Sequence, residues 1–208
     1  MHGGAAGRGE AGLSGLAIRQ GRGVSDADQL RRLLLARSVR RGDFVLSSGQ
    51  RSSYYIDCRL TTMSAEGMVL IGRMGVAAVR AAGWQPRAVG GLTMGADPVA
   101  YAIAAASWGS AQVIDAFSVR KEAKEHGTGR AIEGNFQAGD EVVVVEDVIT
   151  TGASAQRAIS AIRGAGGRVA GVLAVVDREE GGREAIEGEG MIVVSLTTSA
   201  ELGLRQPH

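Results

Sequence analysis

Apolar residues recur along this chain in two periods, and the alternation between those periods outlines a fold. Ser25, followed by Asp28 and the run LRRLLLAR, has the form of a capped first helix with Ser25 at the N-cap. FVLSSG and SSYYID read as two short strands about a turn at Gly49. After Ser64, Met68, Ile71, Met74 and Val79 fall at helical spacing, so AEGMVLIGRMGVAAVRAA predicts a long helix packed on one side. Its glycines cost helix propensity but permit close approach to a sheet.

From there an alternation of strands and helices sets in. RAVGGL predicts a strand, and ADPVAYAIAAA a helix with Asp97 as cap and Pro98 at the first position. AQVIDAFSV is a strand, and EVVVVEDV is the continuous β-branched run expected of a strand buried on both faces. ASAQRAISAIRGAG is a helix closed by glycine, and RVAGVLAVVD and MIVVSL are further strands. Strands alternating with helices predict an α/β domain whose parallel central sheet is flanked by helices. In such sheets ligands bind beyond the carboxyl ends of the strands, which directs attention to the loops after Gly91, Val119, Val145 and Val176.

Composition narrows the classes of function. Among 208 residues, 45% hydrophobic and 22% charged is a globular mixture. A net charge of +1 without a long basic stretch argues against a dedicated nucleic-acid binder. No apolar run reaches the roughly 18 residues needed to span a bilayer, so no membrane role is expected. Cys58 is the single cysteine, which excludes an intrachain disulfide and makes a reducing cytoplasm the expected location. The first residues are Gly/Ala/Arg-rich and lack the apolar core of a secretory signal. Residues 1–24 are therefore read as a disordered tail, and 25–208 as a single domain.

One segment carries chemistry. Strand 142–145 runs into Glu146, Asp147, Val148, Ile149, Thr150, Thr151, Gly152, Ala153 and Ser154, and then into a helix. Two hydroxyls, a glycine and a helix N-terminus form a cradle for a phosphate. The two carboxylates just before it would repel a phosphate placed on them but accept hydrogen bonds from hydroxyls, as a ribose diol offers. The loop lacks the lysine of a P-loop and the glycine spacing of a dinucleotide site.

The string VVVVEDVITTGAS, residues 142–154, resembles the phosphoribosyl pyrophosphate (PRPP) signature of type I phosphoribosyltransferases. The resemblance implies their fold: a parallel sheet with a small N-terminal hood and a mobile catalytic loop. It also implies that Glu146 and Asp147 hold the ribose hydroxyls, that residues 150–154 hold the 5-phosphate, and that Mg²⁺ is a cofactor held mainly through PRPP rather than by protein ligands. RKEAKEHGTGR, residues 120–130, resembles the catalytic loop of the orotate phosphoribosyltransferase family. Arg120, Lys121, Lys124 and His126 match that loop's PRPP-binding positions, and Lys121, Lys124 and His126, together with Asp147 of the PRPP signature, match the family's catalytic ones. In that family the loop serves the partner's site across a homodimer. A cationic lid suits a departing pyrophosphate, since it neutralises the developing charge and excludes water.

FVLSSGQRSSYYID resembles the segment lining the family's base pocket near Tyr54 and Tyr55, and Arg178 matches its orotate-binding arginine, with Thr150 beside it. A guanidinium fork suits the planar carboxylate that distinguishes orotate from uracil. The resemblance spans roughly residues 25–200. Ser47 and Met94 stand where familiar members carry lysines. The expected activity is transfer of ribose 5-phosphate from PRPP to orotate in pyrimidine biosynthesis. The alternatives are a purine or uracil transferase, against which Arg178 and the lid argue, and a PRPP-sensing regulator without turnover, against which the intact lid argues.

Overall fold

The computed structural model describes residues 24–45, 51–121 and 131–204. In chain order these form α1 (Asp26–Arg37), β1 (Val39–Val45), β2 (Arg51–Ile56), α2 (Arg59–Thr62), α3 (Ala65–Ala81), β3 (Ala88–Leu92) and α4 (Ala96–Ser107). There follow β4 (Asp115–Val119), β5 (Ile132–Gly134), β6 (Glu141–Ile149), α5 (Ala153–Gly164), β7 (Arg168–Asp177), α6 (Gly182–Glu187) and β8 (Val193–Thr198).

The central sheet has six strands in the order β5-β4-β3-β6-β7-β8. Its neighbours pair in parallel except at one edge, where β5 runs antiparallel to β4. Helices cover both faces, and the β6 run shows why it is apolar throughout. Val143 and Val145 join the core beneath α1, α3 and α4, whereas Val142 and Val144 join the core beneath α5 and α6. A strand buried on both faces has no position for a polar residue. β1 and β2 form a separate antiparallel hairpin, the small N-terminal hood.

The helix starts follow their caps. Ser25 Oγ accepts from the Asp28 N–H at 3.1 Å, and Ser64 Oγ from the Gly67 N–H at 3.1 Å, as the sequence predicts. Five local expectations need correction. The first hood strand lies at 39–45 rather than 44–49. β4 begins at Asp115, four residues later than the apolar pattern suggests, and β8 is shifted toward 198. Gly95, not Asp97, is the N-cap of α4. The Asp97 carboxylate is instead drawn to two hydroxyls, Thr93 Oγ1 at 2.6 Å and Ser118 Oγ at 2.7 Å. The α3 glycines meet a helix more than the sheet: a Cβ on Gly72 would lie 2.5 Å from the Ala102 carbonyl of α4. The expected tail, Val24 excepted, lies outside the described residues, as do the Gly49 turn and Ser47. Among the described residues, no helix is long and apolar enough to cross a membrane.

Candidate active site

The described residues enclose a cavity of about 740 Å³ at the carboxyl ends of the parallel strands. All four expected loops reach it. Leu92–Gly95 follow β3, Lys121 follows β4, Glu146–Ala155 span the end of β6 and the start of α5, and Arg178 follows β7. The hood and its exit add Val45 and Tyr55–Arg59.

The segment after β6 turns directly into a helix. Gly152 is the N-cap of α5, at φ 79°, and no side chain caps the helix. The first N–H groups of α5 therefore face the cavity without a protein acceptor on the cap. The left-handed conformation suits glycine, and so does the space, because a Cβ there would lie 2.7 Å from the Gly182 carbonyl.

The acidic pair sits beside this cradle in a poorly solvated corner. Glu146 is 4% exposed, and its Oε1 has no hydrogen-bond partner. Burial pushes its carboxyl well above the usual carboxylate range, with the neighbouring Asp147 charge adding to the effect. Burial also raises Asp147, opposed by hydrogen bonds that include the Val148 N–H at 2.9 Å and by the charge of Arg59. A Cβ on Gly95 would lie 2.5 Å from Asp147 Oδ1, so the β3–α4 loop approaches this carboxylate as closely as glycine allows. Within that loop the Thr93–Met94 peptide bond is cis.

Arg178 forms the opposite wall. Its backbone N–H donates to the Ile149 carbonyl at 3.0 Å, tying it to the strand that carries Thr150. The guanidinium is buried, donates to Glu180 Oε1 from Nε at 3.0 Å and Nη2 at 2.7 Å, and reaches Ser52 Oγ at 3.3 Å. It lies 4.7 Å above the ring of Tyr54, whose hydroxyl donates to Ser199 Oγ at 3.2 Å. Tyr54 thus supports Arg178 from behind, whereas Tyr55 lines the cavity. The preceding Asp177 is held by Arg183 Nε at 2.7 Å.

The loop after β4 is described only at its ends. Lys121 lines the cavity, and its carbonyl accepts from Arg157 Nη2 at 3.0 Å. Arg120 does not line the cavity: its N–H donates to the Ala131 carbonyl at 2.8 Å, and its side chain pairs with Glu133 at 3.4 Å. Lys124 and His126 lie outside the described residues. Asp57, Cys58, Arg59 and Gly95 also line the cavity, although no local pattern marks them as site residues. DCR after a predicted strand looks like an ordinary turn, and only the hood's position over the sheet brings it to the site.

An uncapped helix N-terminus beside a buried acidic pair stands at the rim of a parallel sheet, and the chain matches the phosphoribosyl transferase domain family over residues 67–193. It is 49% identical over 180 residues to orotate phosphoribosyltransferase from Aquifex aeolicus, covering 85% of this chain and 97% of that one. A solved structure of orotate phosphoribosyltransferase from Mycobacterium tuberculosis, in complex with Fe(III) dicitrate, is 46% identical with a TM-score of 0.77. That comparison covers 86% of this chain and 100% of the other. Another structure of the same protein, in complex with PRPP, is 43% identical with a TM-score of 0.73, again over 86% and 100% of the two chains. The chain belongs to the phosphoribosyltransferase family, in its orotate phosphoribosyltransferase branch.

Proposed function

We propose that this protein transfers ribose 5-phosphate from PRPP to N1 of orotate, releasing orotidine 5′-monophosphate and pyrophosphate, a step of pyrimidine biosynthesis. The observation that carries this reading is the cavity itself, in which one strand pair, β6 and β7, presents the cradle, the acidic pair and a buried guanidinium together. The 5-phosphate sits on the N–H groups and hydroxyls of residues 150–154. Glu146 and Asp147 accept hydrogen bonds from the ribose hydroxyls and favour the positive charge that grows on the sugar as its bond to pyrophosphate loosens. Arg178, oriented by Glu180 and Tyr54, takes the orotate carboxylate, with Thr150 beside it. Val148 and Ile149 shape the backbone between sugar and phosphate.

The donors fit a magnesium-bound diphosphate. The partnerless Glu146 Oε1 and the adjacent Asp147 are hard oxygen ligands, and among the described residues no three His, Cys, Asp or Glu side chains converge into a protein cage. Mg²⁺, when bound, supplies charge neutralisation on the diphosphate. The protein's part is to orient the sugar and to close over the leaving group with Lys121, Lys124 and His126. In the family's homodimer the loop that follows Arg120 serves the partner's cavity, which agrees with Arg120 standing away from its own. Leu60 on α2, Met63 just after it and Val69 on α3 are exposed apolar side chains and form surface for a second copy to cover. Absence of a disulfide, with Cys58 free and buried, supports placing the enzyme in the cytoplasm.

The test mixes protein, PRPP, Mg²⁺ and orotate and follows the loss of orotate's ultraviolet absorbance. Loss that uracil, adenine and guanine do not replace supports the reading. PRPP binding without turnover of any base would instead indicate a regulator. Lys124→Ala should lower turnover by about 10²-fold or more while PRPP binding changes little, because the lid acts on the leaving group in the transition state. Near-normal turnover would remove the lid from the mechanism.

A further inference from the structure

The described wall of the cavity balances three carboxylates, Asp57, Glu146 and Asp147, against three cations, Arg59, Lys121 and Arg178. For a substrate as anionic as PRPP the placement of those cations matters more than their number. Arg178 is already engaged by Glu180 on the base side. Lys121 stands at the root of the lid. The β3–α4 loop, which presses against Asp147, brings no cation: Met94 projects there, 57% exposed. The corner formed by Asp147, Gly95 and Met94 is thus acidic and apolar, and a diphosphate entering it would be repelled unless another element supplied positive charge.

Arg59 is the residue so placed. It opens α2 directly after the hood and lines the cavity. Its Nε donates to Asp57 Oδ1 at 2.8 Å, its Nη2 to Asp57 Oδ2 at 3.1 Å, and its backbone N–H to Asp57 Oδ1 at 3.2 Å. One edge of the guanidinium is therefore docked, and its orientation is fixed before any ligand arrives. Among the described residues nothing binds Nη1, so the outer fork remains available to an acceptor. Its charge also reaches Asp147, where it opposes the effect of burial.

We propose that Arg59 is a diphosphate-binding residue of this site, its docked guanidinium receiving pyrophosphate oxygens beside Asp147 in place of a cation on the β3–α4 loop. The 5-phosphate has its own cradle on α5, across the acidic pair, and the orotate carboxylate has Arg178. The diphosphate is the remaining anionic part of the reactants, on both the PRPP and the pyrophosphate side of the reaction. This role presupposes the phosphoribosyl transfer proposed above.

The experiment compares wild type, Arg59→Met, Arg59→Lys and Asp57→Asn for PRPP KM, for inhibition by pyrophosphate and for binding of ribose 5-phosphate, which has the 5-phosphate and sugar hydroxyls but no diphosphate. In Arg59→Met, PRPP KM and the pyrophosphate inhibition constant should each rise about tenfold or more, the effect of losing a charge-assisted contact, while ribose 5-phosphate binding stays within about twofold. Arg59→Lys, which keeps the charge but loses the fork, should fall between. Asp57→Asn keeps the guanidinium and should weaken pyrophosphate less than Arg59→Met does. Unchanged pyrophosphate inhibition in Arg59→Met overturns the proposal. So does equal weakening of ribose 5-phosphate, or an Asp57→Asn variant as impaired as Arg59→Met, since both mark the ion pair as merely structural. A wild-type protein that neither turns over orotate nor binds ribose 5-phosphate would instead defeat the transfer reading itself.

Discussion

Replacing Glu146 by glutamine should make the ligand-free protein more stable and PRPP binding weaker. The stability gain comes from burial. Glu146 is 4% exposed with a partnerless Oε1, beside a second buried carboxylate. A polar group left in that state costs about 1–3 kcal/mol, more when charged, and the amide removes the charge while keeping the shape. At about 2–4 °C per kcal/mol for a chain of this size, melting should rise by roughly 2 to 10 °C. The sign of the pH dependence follows from the raised carboxyl. Folded Glu146 keeps its proton where the unfolded chain has released it. The native protein therefore loses stability as pH rises from the ordinary carboxylate value through the raised one. Glutamine does not titrate, so the advantage of the variant should vanish in acid and widen toward neutrality. Binding moves the other way: losing a hydrogen bond to a charged acceptor, about 1.5–3 kcal/mol, weakens PRPP roughly ten- to a hundredfold. Thermal melts from about pH 4 to about pH 8, with and without PRPP, read both effects. A variant that melts lower than wild type near neutrality, or binds PRPP equally well, would refute the account of Glu146 as a buried carboxyl held ready for ligand.

Two further outcomes test the supports of the site. Gly95→Ala places a methyl 2.5 Å from Asp147 Oδ1. Displacing that carboxylate by even about 1 Å should lower kcat/KM on the order of a hundredfold, with little change in melting; a normal rate would show that the approach of the β3–α4 loop is incidental. Arg183→Ala leaves Asp177, 1% exposed, without the 2.7 Å guanidinium partner that also donates to the Val193 carbonyl. Unfolding in urea should show a loss of about 2–4 kcal/mol, less than for a fully buried pair because Arg183 reaches solvent, and KM for orotate should rise as Arg178 loses its anchored neighbour. Unchanged stability would mean that water replaces the pair.

Local pattern was enough to settle a good deal about this protein. The two-faced apolar runs at 142–145 and 172–176 can be satisfied only inside a covered sheet, and Ser25 and Ser64 start their helices because an N-cap acts within three residues of itself. The proposed phosphate cradle was visible for the same reason: strand end, acidic pair, hydroxyls, glycine and helix N-terminus are contiguous at 142–154, so covalent order already places them together. Arg178 was legible only through its resemblance to a family. As a single arginine after a strand it looks like surface, and its burial depends on Tyr54 and Ser52, which come from a hood more than a hundred residues earlier in the chain. What the tertiary structure alone decided is what distant segments do to one another. Asp97 reads locally as a cap, but Thr93 and Ser118 compete for its carboxylate and the cap passes to Gly95. β5 joins the sheet antiparallel through pairing with β4 rather than through any pattern of its own, which three residues are too few to display. Arg59 and Asp57 look like a surface ion pair until the hood folds over the sheet and brings the charge of Arg59 within reach of Asp147. Period and capping act over a few residues and are written in the sequence; burial, field and the convergence of loops act through space and exist only once the chain has folded.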